Sequence, residues 1–289
     1  MTRPPDGKLL YPEGQSSGTT PPSRIASLAP SNTDIALALG LKDRLVAADD
    51  WSDLPDEISS SVTRLGGDIT IDLAKLKESK PDLVLCSLSV PGMERIVDAV
   101  KDLHLEHIVL DPEKFDDIYK SIFAIGMATG TEDRALEIAE SMQQVAAGIT
   151  RSFLGVDEIP RVYFEWWPNP LITPGRRSWV TDMIEMAGGR NVFASEDVRS
   201  GTVDDDEVLS RDPEVIFACW CGTLEKRMEV SKITSRDGWN RCSAVRNGRV
   251  YLLPERHFGR PSPNLLDGLR SLPRFLHPEM MKPAGPVLA

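Results

Sequence analysis

The chain has 289 residues, 41% of them hydrophobic, with a formal charge of −11. That length fits two domains with real cores, and the acidity without any basic cluster excludes nucleic acid as a partner. No apolar run reaches the roughly eighteen residues of a membrane span, and the four cysteines show neither zinc spacing nor a disulfide framework.

In chain order, residues 1–22 read as a disordered N-terminal tail rich in proline and glycine. They contain no apolar signal core and no lipid-attachment cysteine, so a cytoplasmic protein is expected as the sequence stands, or a periplasmic or cell-surface one if the start is mis-called. A strand over 24–29 leads through Pro30 into a helix at Asp34–Leu39, with Ser31 or Asn32 as its cap. A second strand covers Leu45–Ala48 and runs into the loop Asp49–Pro55. A short helix, a proline-led turn and a buried strand fill 71–86. A helix follows over Met93–Leu103, then a strand over Ile108–Leu110 and a helix over 114–128.

From Thr131 to Phe153, the apolar residues Ala135, Ile138, Met142, Val145, Ile149 and Phe153 recur at three- and four-residue steps. That spacing predicts an amphipathic helix roughly 35 Å long. Beyond it the design repeats. At a constant offset of 132, residues 71–86 match residues 203–218, Asp72 meeting Asp204 and Pro81 meeting Pro213. A strand at Arg161–Glu165 echoes the first one, a helix over Trp179–Ala187 ends at Gly188-Gly189, and a strand over Arg249–Leu253 precedes a closing helix at about 264–276. The expected fold is α/β: two pseudo-symmetric Rossmann-like lobes with parallel sheets, joined by one long helix. The boundaries are a tail over 1–22, a lobe over 23–130, the bridging helix over 131–154, a lobe over 155–281 and a tail over 282–289.

Ligands of open α/β sheets bind at the carboxyl ends of the strands. Trp51, Trp166, Trp167 and Trp220, four of the six tryptophans, fall there, as does Phe258. Together they are candidates for gripping a bulky planar ligand. Arg176, Arg256 and Arg260 accompany them, and Gly175 with Ser178 either offers backbone amides to a ligand or caps the next helix. Enzyme signatures are missing: there is no GxGxxG after a strand, no Walker loop, no GxSxG and no HExxH. Cys221, Glu165 and His257 leave a thiol enzyme conceivable, and His104 with His107 reads as surface rather than metal ligand. A non-catalytic binding protein without catalytic residues, metal site or required cofactor is therefore expected, acting as a monomer.

The segments RIASLAPSNTD (24–34), KPDLVL (80–85), TPGxxS (173–178), AGGRNVF (187–193), DPEVI (212–216) and GRVY (248–251) resemble, in order and spacing, the helical-backbone class of substrate-binding proteins. The vitamin B12-binding proteins of ABC importers resemble them most. The resemblance covers 24 to about 278 and implies a corrinoid held in the cleft between two lobes. Relatives that bind haem or ferric siderophores provide the alternative ligand, and an enzyme on the same fold the alternative activity. It also implies ring contacts by Trp51 and Trp166 and a ligand-facing Arg260. Asp68, Ser87 and Ser200 stand where B12 binders carry further tryptophans. An ABC permease is the implied partner, docked through an acidic residue on each lobe. Asp206 is the second-lobe counterpart, whereas Ala74, flanked by Lys75 and Lys77, occupies the first-lobe position.

Overall fold

The computed structural model of the chain describes residues 20–223 and 225–280. The expected tails lie outside them, apart from residues 20–22. By internal contacts the chain divides into two units. One runs through Pro112 and also takes Tyr119–Ile138; the other takes Glu113–Ile118 and the chain from Ala139 onward.

The first unit is built on a five-stranded parallel sheet in the order β3-β2-β1-β4-β5. Its strands are β1 (Ile25–Ser27), β2 (Leu45–Ala48), β3 (Thr63–Arg64), β4 (Leu83–Ser87) and β5 (His107–Leu110). Helices α1 (Pro30–Ala38), α2 (Asp56–Ser59), α3 (Leu73–Glu78) and α4 (Glu94–Asp102) connect them. Every residue of β1 and β4 is buried, as expected of strands covered on both faces. Helix α1 begins earlier than its sequence cap signals imply. Pro30 takes the first turn and Ala29 is the cap, because proline's fixed φ already suits a helix start. Asn32 is spent elsewhere: its side-chain amide donates to the carbonyls of Leu85 and Cys86 at 3.1 and 3.0 Å, fastening the helix start to the end of β4.

Helices α5 (Phe115–Thr129) and α6 (Glu132–Ser152) follow. The turn between them is tight: a Cβ at Gly126 would lie 2.6 Å from that of Ala135. Helix α6 is the long helix expected from the 131–153 periodicity, and the division between the units falls within it.

The second unit has a four-stranded parallel sheet in the order β12-β11-β6-β9. Its strands are β6 (Arg161–Glu165), β9 (Arg190–Asn191), β11 (Val215–Ala218) and β12 (Val250–Leu252). Read from β9, that order repeats the β2-β1-β4-β5 order of the first sheet. The helices in this unit are α7 (Trp179–Met186), α8 (Asp205–Ser210), α9 (Ser231–Thr234), α10 (Ser243–Arg246), α11 (Glu255–Phe258) and α12 (Leu265–Leu276). The 132-residue offset carries α3 onto α8 at both ends and the start of β4 onto that of β11. Asp72 and Asp204 are the caps, each accepting backbone N–H groups of the first turn.

The long aromatic loop expected after β6 is partly regular. Strands β7 (Trp167–Pro168) and β8 (Leu171–Pro174) form a hairpin, and β10 (Ser200–Val203) completes a small antiparallel sheet ordered β10-β8-β7. Among the described residues, no helix is long and apolar enough to cross a membrane.

Candidate functional site

In the first unit the loop after β2 holds Trp51 out at 49% exposure. Its backbone is fixed from below. The buried Asp49 carboxylate accepts the Trp51 N–H at 2.8 Å and also the Ser52 hydroxyl. The Thr33 and Ser52 hydroxyls are 2.7 Å apart, and Arg64 donates to the carbonyls of Asp49 and Ser52 at 2.8 and 2.9 Å. An aromatic side chain on a loop tied at this many points is presented without a large ordering cost on binding.

Two further apolar side chains stand out on neighbouring loops: Ile69 after β3 and Val90 after β4, at 44% and 40% exposure. Nothing in the sequence singled them out, since a lone aliphatic residue in a loop carries no pattern. The Gly67 Cβ direction points to within 3.4 Å of Trp51 Nε1, and that of Gly92 to within 4.0 Å of Ile69 Cγ2. These loops therefore form one surface at the carboxyl end of the sheet.

In the second unit Trp167 is 39% exposed and donates from Nε1 to the Asn169 carbonyl at 3.0 Å. Trp166 is half-buried, edge-on to Phe164 with centroids 4.6 Å apart and tilted against Trp179 at 6.1 Å. Two of the expected contacts turn inward. Trp220 is only 3% exposed, inside an apolar cluster with Tyr163, Phe193 and Trp239, and donates from Nε1 to Glu165 at 2.9 Å. Phe258 is 1% exposed and packs near Phe164. Trp220 sits in a strand-end loop and Phe258 at the end of α11, but each ring fills the core beneath, so neither presents a face to a ligand.

The arginines differ among themselves. Arg176 is exposed and pairs with Asp197 at 2.9 Å. Arg260 has a largely buried side chain and approaches Glu255 at 3.9 Å. The alternative open at Gly175 and Ser178 resolves toward capping. The Gly175, Arg176 and Arg177 N–H groups donate to the carbonyls of Arg199, Glu196 and Val198, and Ser178 Oγ caps α7 at Val180.

Of the residues conceivable for a thiol enzyme, Glu165 is engaged elsewhere. Glu165 is fully buried and accepts four hydrogen bonds: from Tyr163 at 3.1 Å, from Trp220, and from Arg236 at 2.7 and 2.8 Å. With its lone pairs occupied it cannot serve Cys221, whose Sγ lies 3.9 Å from the Cys219 carbonyl. Burial, and then the Glu165 charge, pushes the Tyr163 hydroxyl far above its usual range. Among the described residues no group of three or more His, Cys, Asp and Glu could hold a metal ion. Asp206 and Ala74 are both exposed, on the first turns of α8 and α3. Lys75, beside Ala74, lies 3.8 Å from Asp72.

Residues 25–257 match the family model described as periplasmic binding protein. The uncharacterized ABC transporter substrate-binding lipoprotein YvrC of Bacillus subtilis is 31% identical over 270 residues, spanning 90% of this chain and 82% of that protein. The crystal structure of the periplasmic vitamin B12 binding protein BtuF of Vibrio cholerae matches with a TM-score of 0.74 and 26% identity, over 91% of this chain and 100% of that one. Staphylococcus aureus IsdE complexed with heme matches with a TM-score of 0.78 at 22% identity, over 88% and 98% of the two chains, a likeness of fold alone. A lipoprotein and a periplasmic protein among the relatives give the cytoplasmic expectation no support.

Proposed function

The chain belongs to the periplasmic binding protein family, and from that premise we propose that it binds a corrinoid of the cobalamin type without transforming it, requiring no cofactor. The observation that carries this reading is the exposed tryptophan at the strand ends of each unit, Trp51 in one and Trp167 in the other. Indoles held out on a constrained loop and on a short hairpin strand offer flat apolar area with a polar edge, which suits a large macrocycle better than a small polar solute. The 26% identity to a vitamin B12 binding protein over nearly the whole chain supports the same ligand class. The haem-bound neighbour, at 22%, speaks only to the fold. The full occupation of Glu165 supports a non-catalytic role.

On this reading the protein works outside the cytoplasm, which relatives named as lipoprotein and periplasmic support. An ABC permease is the partner that the substrate-binding lipoprotein relative supports. Asp206 offers a charge for that docking, whereas Ala74 offers none and stands beside Lys75 and Lys77. Docking is therefore weighted to the α8 side, and a conventional B12 permease is expected to engage the protein poorly. Low-salt complex formation with such a permease, for wild type and Asp206→Lys, tests this; tight binding by wild type overturns the expected weakness.

Visible-absorption titration with cobinamide, cobalamin, haemin and a ferric siderophore tests the ligand. Saturable shifts of the corrinoid bands are expected. Saturation by haemin or the siderophore, with the corrinoids silent, would overturn the assignment.

A further inference from the structure

We propose that Trp179 is a positioning residue for ligand binding, which holds the Trp166 ring in one orientation at the strand ends of the second unit. A planar ligand then meets an indole that is already ordered. This deepens the corrinoid reading and rests on it.

Three elements bring the parts together. Trp166 directly follows β6, and its N–H donates to the Ile172 carbonyl at 2.8 Å. That bond fixes its backbone and leaves the side-chain torsions to be set by neighbours. Trp179 opens α7 behind the Ser178 cap. Phe258 closes α11, just beyond β12. That short helix has little room to shift: a Cβ at Gly268 of α12 would lie 2.1 Å from the His257 carbonyl oxygen, so α11 rests directly on α12.

The contacts among these residues close on themselves. Trp166 stands edge-on to Phe164 at 4.6 Å and tilts against Trp179 at 6.1 Å between ring centroids. Trp179 Nε1 donates to the Phe258 carbonyl at 2.8 Å, and the Phe258 ring lies 6.3 Å from that of Phe164. Phe164 and Phe258 are buried in the core, whereas Trp166 and Trp179 are partly exposed. An indole has one N–H donor and no acceptor, so this single bond, made to a fixed carbonyl, sets how the Trp179 ring lies. Trp166 is thereby confined between a core ring and an anchored one.

Ordering a loose side chain on binding opposes association, and a ring ordered beforehand avoids that loss. The anchor also separates Trp179 from an ordinary packing residue. Phenylalanine in its place keeps an aromatic ring against Trp166 but cannot donate to the Phe258 carbonyl.

The test has one arm without ligand and one with it, both on the full chain with folding checked by circular dichroism. Fluorotryptophan is incorporated at the six tryptophans, and the Trp166 fluorine line is assigned by its loss in Trp166→Ala. In wild type that line is expected to be single and as sharp as that of the buried Trp239, and in Trp179→Phe to broaden or split. A broad or split line in wild type, or an unchanged one in Trp179→Phe, overturns the lock. In the second arm cobinamide is titrated by visible absorption. Trp179→Phe is expected to weaken binding about three- to tenfold in the wild-type background, and less than about twofold in Trp166→Ala. Equal losses in the two backgrounds, or no loss in either, overturn a role acting through Trp166 while leaving the corrinoid reading intact. Folded wild type that binds no cobinamide overturns the corrinoid reading, and the fluorine line alone then decides whether Trp179 holds Trp166.

Discussion

Lys80 and Asp212, 132 positions apart, carry the same rare left-handed backbone, with φ of 47° and 39°, each immediately before a proline. The surroundings repeat as well. Arg24 donates from Nε to the Lys80 carbonyl at 2.8 Å, and Arg161 donates from Nε and Nη2 to the Asp212 carbonyl at 3.0 and 2.8 Å. The Arg24 N–H is taken by Asp82 and the Arg161 N–H by Glu214. Helix, strained turn and strand are thus one device used twice.

A non-glycine residue in the left-handed region costs roughly 1–2 kcal/mol. Lys80→Gly should therefore stabilise the first unit by up to about 1 kcal/mol after glycine's entropic cost, seen as a raised urea midpoint. Asp212→Gly should lower stability despite the same φ. Its carboxylate accepts the Ser243 N–H and hydroxyl, both at 2.8 Å, and glycine removes those bonds. Opposite signs for the two variants in equilibrium unfolding are the expected result.

The same carboxylate predicts a pH dependence. Burial opposes its charge, but the Ser243 hydrogen bonds and the Arg161 and Arg246 charges prevail and hold Asp212 below the usual range. A depressed carboxyl stabilises above its unfolded pKa, and the contribution is lost as pH falls through the folded one. Wild type should thus exceed Asp212→Asn in stability near neutrality, with the difference shrinking below about pH 4. A difference constant from pH 7 to 3 would assign the stability to geometry rather than to charge.

Removing the Glu165 charge should be costly. Arg236 is partly buried against it, with the guanidinium also 4.7 Å from the Trp239 ring centroid. Glu165→Gln leaves that guanidinium without its counter-charge, and breaking a buried pair costs about 3–5 kcal/mol. Thermal unfolding of the second unit reads this directly. Trp220→Phe, which removes one donor of four, should cost nearer about 1 kcal/mol.

Ligand binding should separate the exposed indoles from the buried one. Trp51→Ala and Trp167→Ala are each expected to weaken corrinoid binding by about 1–3 kcal/mol, the worth of a lost ring contact. Trp166→Ala should also weaken it, with part of its effect appearing as stability because the ring packs on Phe164 and Trp179. Trp220→Phe should leave affinity within about threefold. Calorimetric titration of the four variants gives the order, and a loss on Trp220→Phe matching that of Trp51→Ala would move the site toward the core.

The repeated architecture is legible in the sequence alone. A capping aspartate, a short helix, a proline turn and an apolar strand are local signals set by backbone sterics and capping. Their recurrence at one offset carries the two-unit plan, and the three- and four-residue apolar spacing over 131–153 carries the long helix. The hairpin Trp167–Pro174 escaped that reading because its prolines obscure the alternation of a strand, and its third strand arrives from residues 200–203. Which way the strand-end side chains face emerges first in the folded chain. Trp51 and Trp220 occupy equivalent kinds of loop, yet one stands exposed on a loop whose backbone Asp49 fixes while the other is drawn inward by Glu165 and the aromatic core. For Trp220 that choice depends on partners distant in the sequence, as does the approach of the loops that carry Trp51, Ile69 and Val90. Side-chain direction in a loop is settled by long-range packing and hydrogen bonding, which no local pattern encodes.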